Sequence, residues 1–238
     1  MKKNQLIRCR FAIARQVLLA ASLCVPVISR AVTMITSVPY TISVPGAYEL
    51  GSNLTSNDSD AILVKASNVS IDLAGYTITG ASGKYTGIFI FPATSNVSVQ
   101  NGTINGFYGG IHALGLGHRL TNLWVFNATV GVGVEANNSA VENCFIVGPA
   151  NNSPQPPAGI YINNCGAVLL RNNQVTECYY GVWEYSVTAP SVLVGNYEAN
   201  CTYGLNLNPT AGTKYQGNIT TNCATPVSAG IAVGHENG

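Results

Sequence analysis

A glycine followed by alternating apolar residues returns seven times along this chain, at Gly87, Gly110, Gly131, Gly159, Gly181, Gly204 and Gly230, with intervals of 23, 21, 28, 22, 23 and 26 residues. Self-similarity at such a period belongs to stacked-repeat folds, in which a unit cannot bury its apolar side alone and packs it against the next. The segments that follow the glycines, among them GIFIF, GVGVE, GIYIN and GLNLN, put apolar residues at every second position. That is strand periodicity. The stretch from Gly159 to Tyr180 displays a whole unit: a strand through Ile160 and Ile162, a turn at 163–166, a second strand through Val168 and Leu170, then Asn172 and a resumption at Val175. Three short strands and three turns per unit are predicted.

A second register runs through Asn101, Asn122, Asn143, Asn172, Asn196 and Asn218, with apolar Val99, Leu120, Val141, Leu170 and Val194 two residues before the first five. Asparagine tolerates the left-handed backbone of a tight turn and both donates and accepts hydrogen bonds, so a column of it suits one corner of a coil. The six are predicted to form one internal asparagine ladder, with Asn143 buried between Asn122 and Asn172.

With these two registers and the segment VSIDLAGYTITG from Val69 to Gly80, the chain from about Val38 onward resembles the right-handed parallel β-helix proteins of the pectate-lyase (pectin-lyase-like) superfamily. The resemblance implies an all-β solenoid of about seven to eight rungs. It implies no single activity, because the superfamily spans lyases, glycoside hydrolases, epimerases, tailspikes and adhesins.

The chain divides into three stretches. Residues 1–31 read as a secretory signal: Lys2, Lys3, Arg8, Arg10 and Arg15 precede an apolar run from Val17 to Ile28, and Ser29 and Ala31 supply the small residues of a cleavage site. Residues 32–60, with Pro39 and the Pro45-Gly46 turn, read as a cap and lead-in, and 61–238 as the helix. Removal of the signal leaves five basic residues against ten acids, a net charge of 5 − 10 = −5, which disfavours nucleic acid as a partner. The 12-residue apolar run is short for a membrane span, so a secreted, extracellular or periplasmic protein is expected, with no span in its mature form. Cys144, Cys165, Cys178, Cys201 and Cys223 remain, with Cys178, Cys201 and Cys223 in one phase; they are expected to stack as free thiols, and no zinc spacing is present. The chain ends inside a strand pattern, which suggests self-association through an uncapped C-terminal edge.

The outward positions of the rung-opening strands form a stripe: Phe89, His112, Gly133, Tyr161, Trp183 and Asn206, with Glu135, Asn163 and Tyr185 two places further on in their rungs. Aromatic rings on a rigid sheet suit the apolar faces of sugars, and neighbouring amides and carboxylates suit their hydroxyls. Phe89, His112, Tyr161, Asn163, Trp183 and Tyr185 are therefore the candidate carbohydrate-binding residues, and a polysaccharide or cell-surface glycan the expected partner. Glu135 and Glu184 are the candidate catalytic acids, although the parity of Glu184 points it inward. A lyase of the resembled superfamily would need calcium held by converging acids, and no such cluster is visible, so no cofactor or metal is expected outside that alternative. Hydrolases need a pair of carboxylates, and no Asp follows Asp72. The sequence favours polysaccharide binding; a carbohydrate-active enzyme and a structural or adhesion module stay open. Glu142 and Arg171, each one residue before a ladder Asn, are expected to pair across rungs.

Overall fold

The computed structural model describes residues 31–81, 83–149 and 157–233. Residues 1–30, which include most of the expected signal, Ser82, residues 150–156 and residues 234–238, which include the expected C-terminal edge, lie outside it. All regular structure among the described residues is β, and every pairing is parallel. The chain winds as a three-faced parallel β-helix. Face 1 is a nine-stranded sheet that runs from Tyr40–Ile42 through Gly109–Leu116 and Val130–Asn137 to Thr225–Val227. Faces 2 and 3 form one 16-stranded sheet, joined where the long strands Val97–Asn105 and Arg119–Phe126 run across the corner between them.

In-register stacking turns the sequence period into apolar columns. Ile62, Ile88, Ile111, Val132, Ile160, Val182 and Leu205 line the interior of face 1, and Ile78, Ile104, Val125, Ile146 and Val175 line face 3. All are buried. The recurrent glycine has a steric cause. A Cβ at Gly110 would lie 2.4 Å from the carbonyl oxygen of Gly131, and one at Gly131 would lie 2.6 Å from that of Gly159, closer than carbon and oxygen can approach. The corner into face 1 thus admits no side chain, and the column Gly87, Gly110, Gly131, Gly159, Gly181, Gly204 follows from it.

Three expectations need correction. Gly230 opens no rung: Thr225 and Val227 pair with Tyr203 and Leu205, so Pro226 takes the place above Gly204, and Gly230 sits in a later turn at φ 100°. Within residues 32–60, expected as a cap and lead-in, strands of the coil are already present. Val32–Ile35, Tyr40–Ile42, Gly46–Leu50 and Leu54–Ser56 already pair in the three faces, because their alternation matches that of the later rungs.

The asparagine ladder is present but splits into two adjacent columns. Asn101, Asn122, Asn143 and Asn172 adopt φ of 52° to 59° and make side-chain bonds on the outside, Asn122 Nδ2 to Asn101 Oδ1 and Asn172 Nδ2 to Asn143 Oδ1, both 3.4 Å. Asn143 is exposed, not buried, because a left-handed residue at this corner turns its side chain out. In the next rungs the left-handed position passes to Gly195 and Gly217. Asn196 and Asn218, one residue further, join Asn173 in an inner ladder. There Asn173 Nδ2 donates to Asn196 Oδ1 at 2.9 Å and Asn196 Nδ2 to Asn218 Oδ1 at 2.8 Å.

Glu142 bridges two arginines, Arg119 Nη1 at 3.0 Å and Arg171 Nη1 at 3.4 Å, so the expected pair is one half of a three-residue cluster. The five cysteines are free, four of them buried. Burial raises the thiol pKa of Cys144 to about 11 and of Cys201 to about 12, which keeps both protonated and unreactive.

Candidate functional site

The outward residues of face 1 stack in the register the alternation demands. His112 pairs with Phe89 and with Gly133, Gly133 with Tyr161, Tyr161 with Trp183, and Trp183 with Asn206. Gly133 is the gap in this stripe. With no side chain between His112 and Tyr161, the sheet there floors a cleft of about 230 Å³, lined also by Thr86, Tyr108, Val130 and Glu135.

The cleft has one polar wall and one aromatic wall. His112 Nε2 and Glu135 Oε1 lie 3.1 Å apart, with side chains 34 % and 23 % exposed, so both can still reach a ligand. Phe89 meets the His112 ring edge-on at 5.3 Å and Phe91 at 5.0 Å, and Lys65 Nζ sits 5.0 Å above Phe91. Phe89 therefore fixes the imidazole and offers little free face of its own. On the other side, burial raises the pKa of the Tyr161 phenol, and the nearby Glu135 and Tyr185 add to this. A neutral hydroxyl results, able to donate and to accept.

Trp183 is braced instead of free-standing. It stacks on Tyr180 at 4.5 Å and 24°, tilts against Tyr161 at 4.9 Å and meets Tyr185 edge-on at 5.7 Å. Tyr180 stacks in turn on Tyr203 at 5.3 Å. Of these rings Tyr185 is the most open, at 62 % exposed, while Tyr161 and Trp183 are both half-buried. Asn163 is half-buried and its Oδ1, shielded from solvent, has no hydrogen-bond partner, so turning its amide toward a ligand hydroxyl would gain a bond.

Glu184 does not join the site. It is buried inside the coil, where Thr213 Oγ1 donates to Oε1 at 2.9 Å and the Asn208 amide to Oε2 at 3.2 Å, and desolvation raises its pKa. The strand's alternation sends it through the sheet, away from Trp183. Its carboxylate therefore lies inside the coil, whereas that of Glu135 lines the cleft. Among the described residues no group of three or more His, Cys, Asp or Glu side chains could hold a metal ion, and no helix is long and apolar enough to cross a membrane.

Sequence reasoning missed three features: the cleft over Gly133, the bracing tyrosines, and a second aromatic group on face 3. Tyr180 and Tyr203 stand directly before Gly181 and Gly204 and in register with each other, a phase that could have been read from the glycine column. Tyr108 precedes its glycines at the corner before face 1 in the same way.

A family model described as the right handed beta helix region matches residues 86–238. No individual curated protein matches the sequence.

Proposed function

The chain belongs to the right-handed β-helix family, and on that scaffold we propose that face 1 binds polysaccharide, with one sugar residue seated in the cleft over Gly133 against Tyr161. The observation that carries this reading is the gap at Gly133 between a hydrogen-bonded His112–Glu135 pair and an aromatic wall. A sugar presents CH groups on its faces and hydroxyls on its rim, and a recess with one aromatic and one hydrogen-bonding wall complements both. Glu135 accepts from hydroxyls, His112 holds the carboxylate in place, and Tyr185 extends the platform along the strand. The parallel sheet holds these groups rigidly, so little conformational entropy is lost when a ligand docks.

The proposal includes export: the basic and apolar N-terminal segment directs the chain to the secretory route, with cleavage after Ala31. Intact-mass analysis of protein recovered outside the cytoplasm tests it, with Val32 the expected first residue.

A glycan array run on the mature protein beside Tyr161→Ala and Glu135→Gln variants, with an assay for new reducing ends or unsaturated products, tests the binding role. Binding that both substitutions weaken, without product, supports the reading. The His112–Glu135 contact favours one second reading, acid–base catalysis; product formation abolished by Glu135→Gln would establish it. A folded protein that binds no glycan would sink both.

A further inference from the structure

Face 3 carries an aromatic group with no role in the cleft. Trp124, Phe126 and Phe145 meet one another edge-on, with centroids 6.0, 5.7 and 5.9 Å apart. Trp124 is 56 % exposed, more than any other outward ring on the coil except Tyr185. The strand register puts it in the column Thr103, Trp124, Phe145, Gln174, so two rings stand in line between a hydroxyl and an amide. At about 4.8 Å per strand this column spans about 14 Å, the length of a short oligosaccharide. Tyr197 and Ile219 continue it, and neither they nor the adjoining Asn105, Phe126 and Val147 carry a charge.

We propose that this column is a second glycan platform, on a different face from the cleft and selective for uncharged sugars. Sugar faces stack on Trp124 and Phe145, and Thr103 and Gln174 bond the hydroxyls at the two ends. A second copy of the chain is a poorer occupant. A stable protein interface needs roughly 800 Å² from each partner, whereas a ring supplies at most about 250 Å² and two of these three are already half covered. An anionic polymer finds no cation in the column. The platform stands independently of the cleft over Gly133. If both bind, one rigid rod holds two chains and cross-links a polysaccharide.

The chain has two tryptophans, Trp124 on face 3 and Trp183 on face 1, so each face can be read by its own fluorescence. In a Trp183→Phe variant, titration with hydroxyethyl cellulose, laminarin and galactomannan is expected to give a saturable change in Trp124 emission with at least one polymer, and none with polygalacturonate. Phe145→Ala should weaken that response roughly tenfold. Gln174→Ala, on an exposed side chain that cannot disturb the core, should weaken it severalfold. The converse Trp124→Phe variant reports the cleft alone, so loss of one signal with retention of the other separates the two sites. An unchanged Trp124 signal with all three neutral polymers overturns the proposal. So does a Trp124 signal that tracks protein concentration together with a doubled sedimentation mass, which would assign the patch to self-association.

Discussion

Glu198 breaks an otherwise apolar column. The inward positions of face 3 run Ile78, Ile104, Val125, Ile146, Val175 and then Glu198, which is fully buried with neither carboxyl oxygen hydrogen-bonded. Burial raises its pKa from 4.5 to about 8. Below pH 4.5 the carboxyl is protonated in both folded and unfolded chains. As pH rises from 4.5 to 8 the unfolded chain releases a proton that the folded chain retains, so stability falls by about 1.4 kcal/mol per pH unit. Above pH 8 the loss levels off at about 5 kcal/mol. Glu198→Gln removes the titration and should match the parent within about 1 kcal/mol at pH 5. At pH 8.5 it should be more stable by about 3–5 kcal/mol. Glu198→Val, which also restores the column, should gain at both pH values. Urea unfolding at pH 5, 7 and 8.5 measures all three. Parallel pH profiles for parent and Glu198→Gln would refute the argument, since they would mean that Glu198 reaches solvent or a partner in the folded chain.

The two asparagine columns should respond differently. Asn196→Ala removes an amide whose Nδ2 donates to Leu170 O and Asn218 Oδ1 and whose Oδ1 accepts from Asn173, a loss of about 2–4 kcal/mol in melting experiments. Asn143→Gly, at an exposed left-handed position, should stay within about 0.5 kcal/mol of the parent. Gly131→Ala, which drives a Cβ against the Gly159 carbonyl, should lower the folded yield far more than Gly133→Ala on the same strand. His118 is buried, its Nε2 bonded to Leu114 O at 2.8 Å and its Nδ1 accepting from the Val97 amide, and desolvation lowers its pKa. Its contribution is complete above about pH 6.5 and is lost as pH falls through its depressed folded value, so His118→Gln should flatten the acid side of the stability profile.

The fold was legible because its cause repeats: a corner too tight for a Cβ writes a glycine once per rung, and a two-sided sheet writes alternation after it. The outward stripe followed from the same parity, which is why the order from Phe89 to Asn206 could be read before any coordinates. What failed was phase by a single residue. Asn172 and Asn173 are adjacent and both repeat, one in the left-handed column and one inside, so spacing alone merged two ladders. The cleft was hidden for a related reason. Gly133 occurs as an absence in an aromatic series, and a search for side chains that bind passes over the position where a missing one makes room. The bracing of Trp183 by Tyr180 crosses from one rung position to another, and ring orientation is not a property of spacing.

Gly133→Val tests the central claim most directly. The position is extended, and a Cβ there meets His112 at 3.3 Å and Val130 at 3.6 Å, so a β-branched residue suits the strand while its methyl groups occupy the cleft. Calorimetric titration of the best glycan from the array is expected to show at least tenfold weaker binding, about 1.4 kcal/mol, with a melting temperature at or above that of the parent. Undiminished affinity in a folded Gly133→Val protein would show that face 1 does not bind sugar through this cleft.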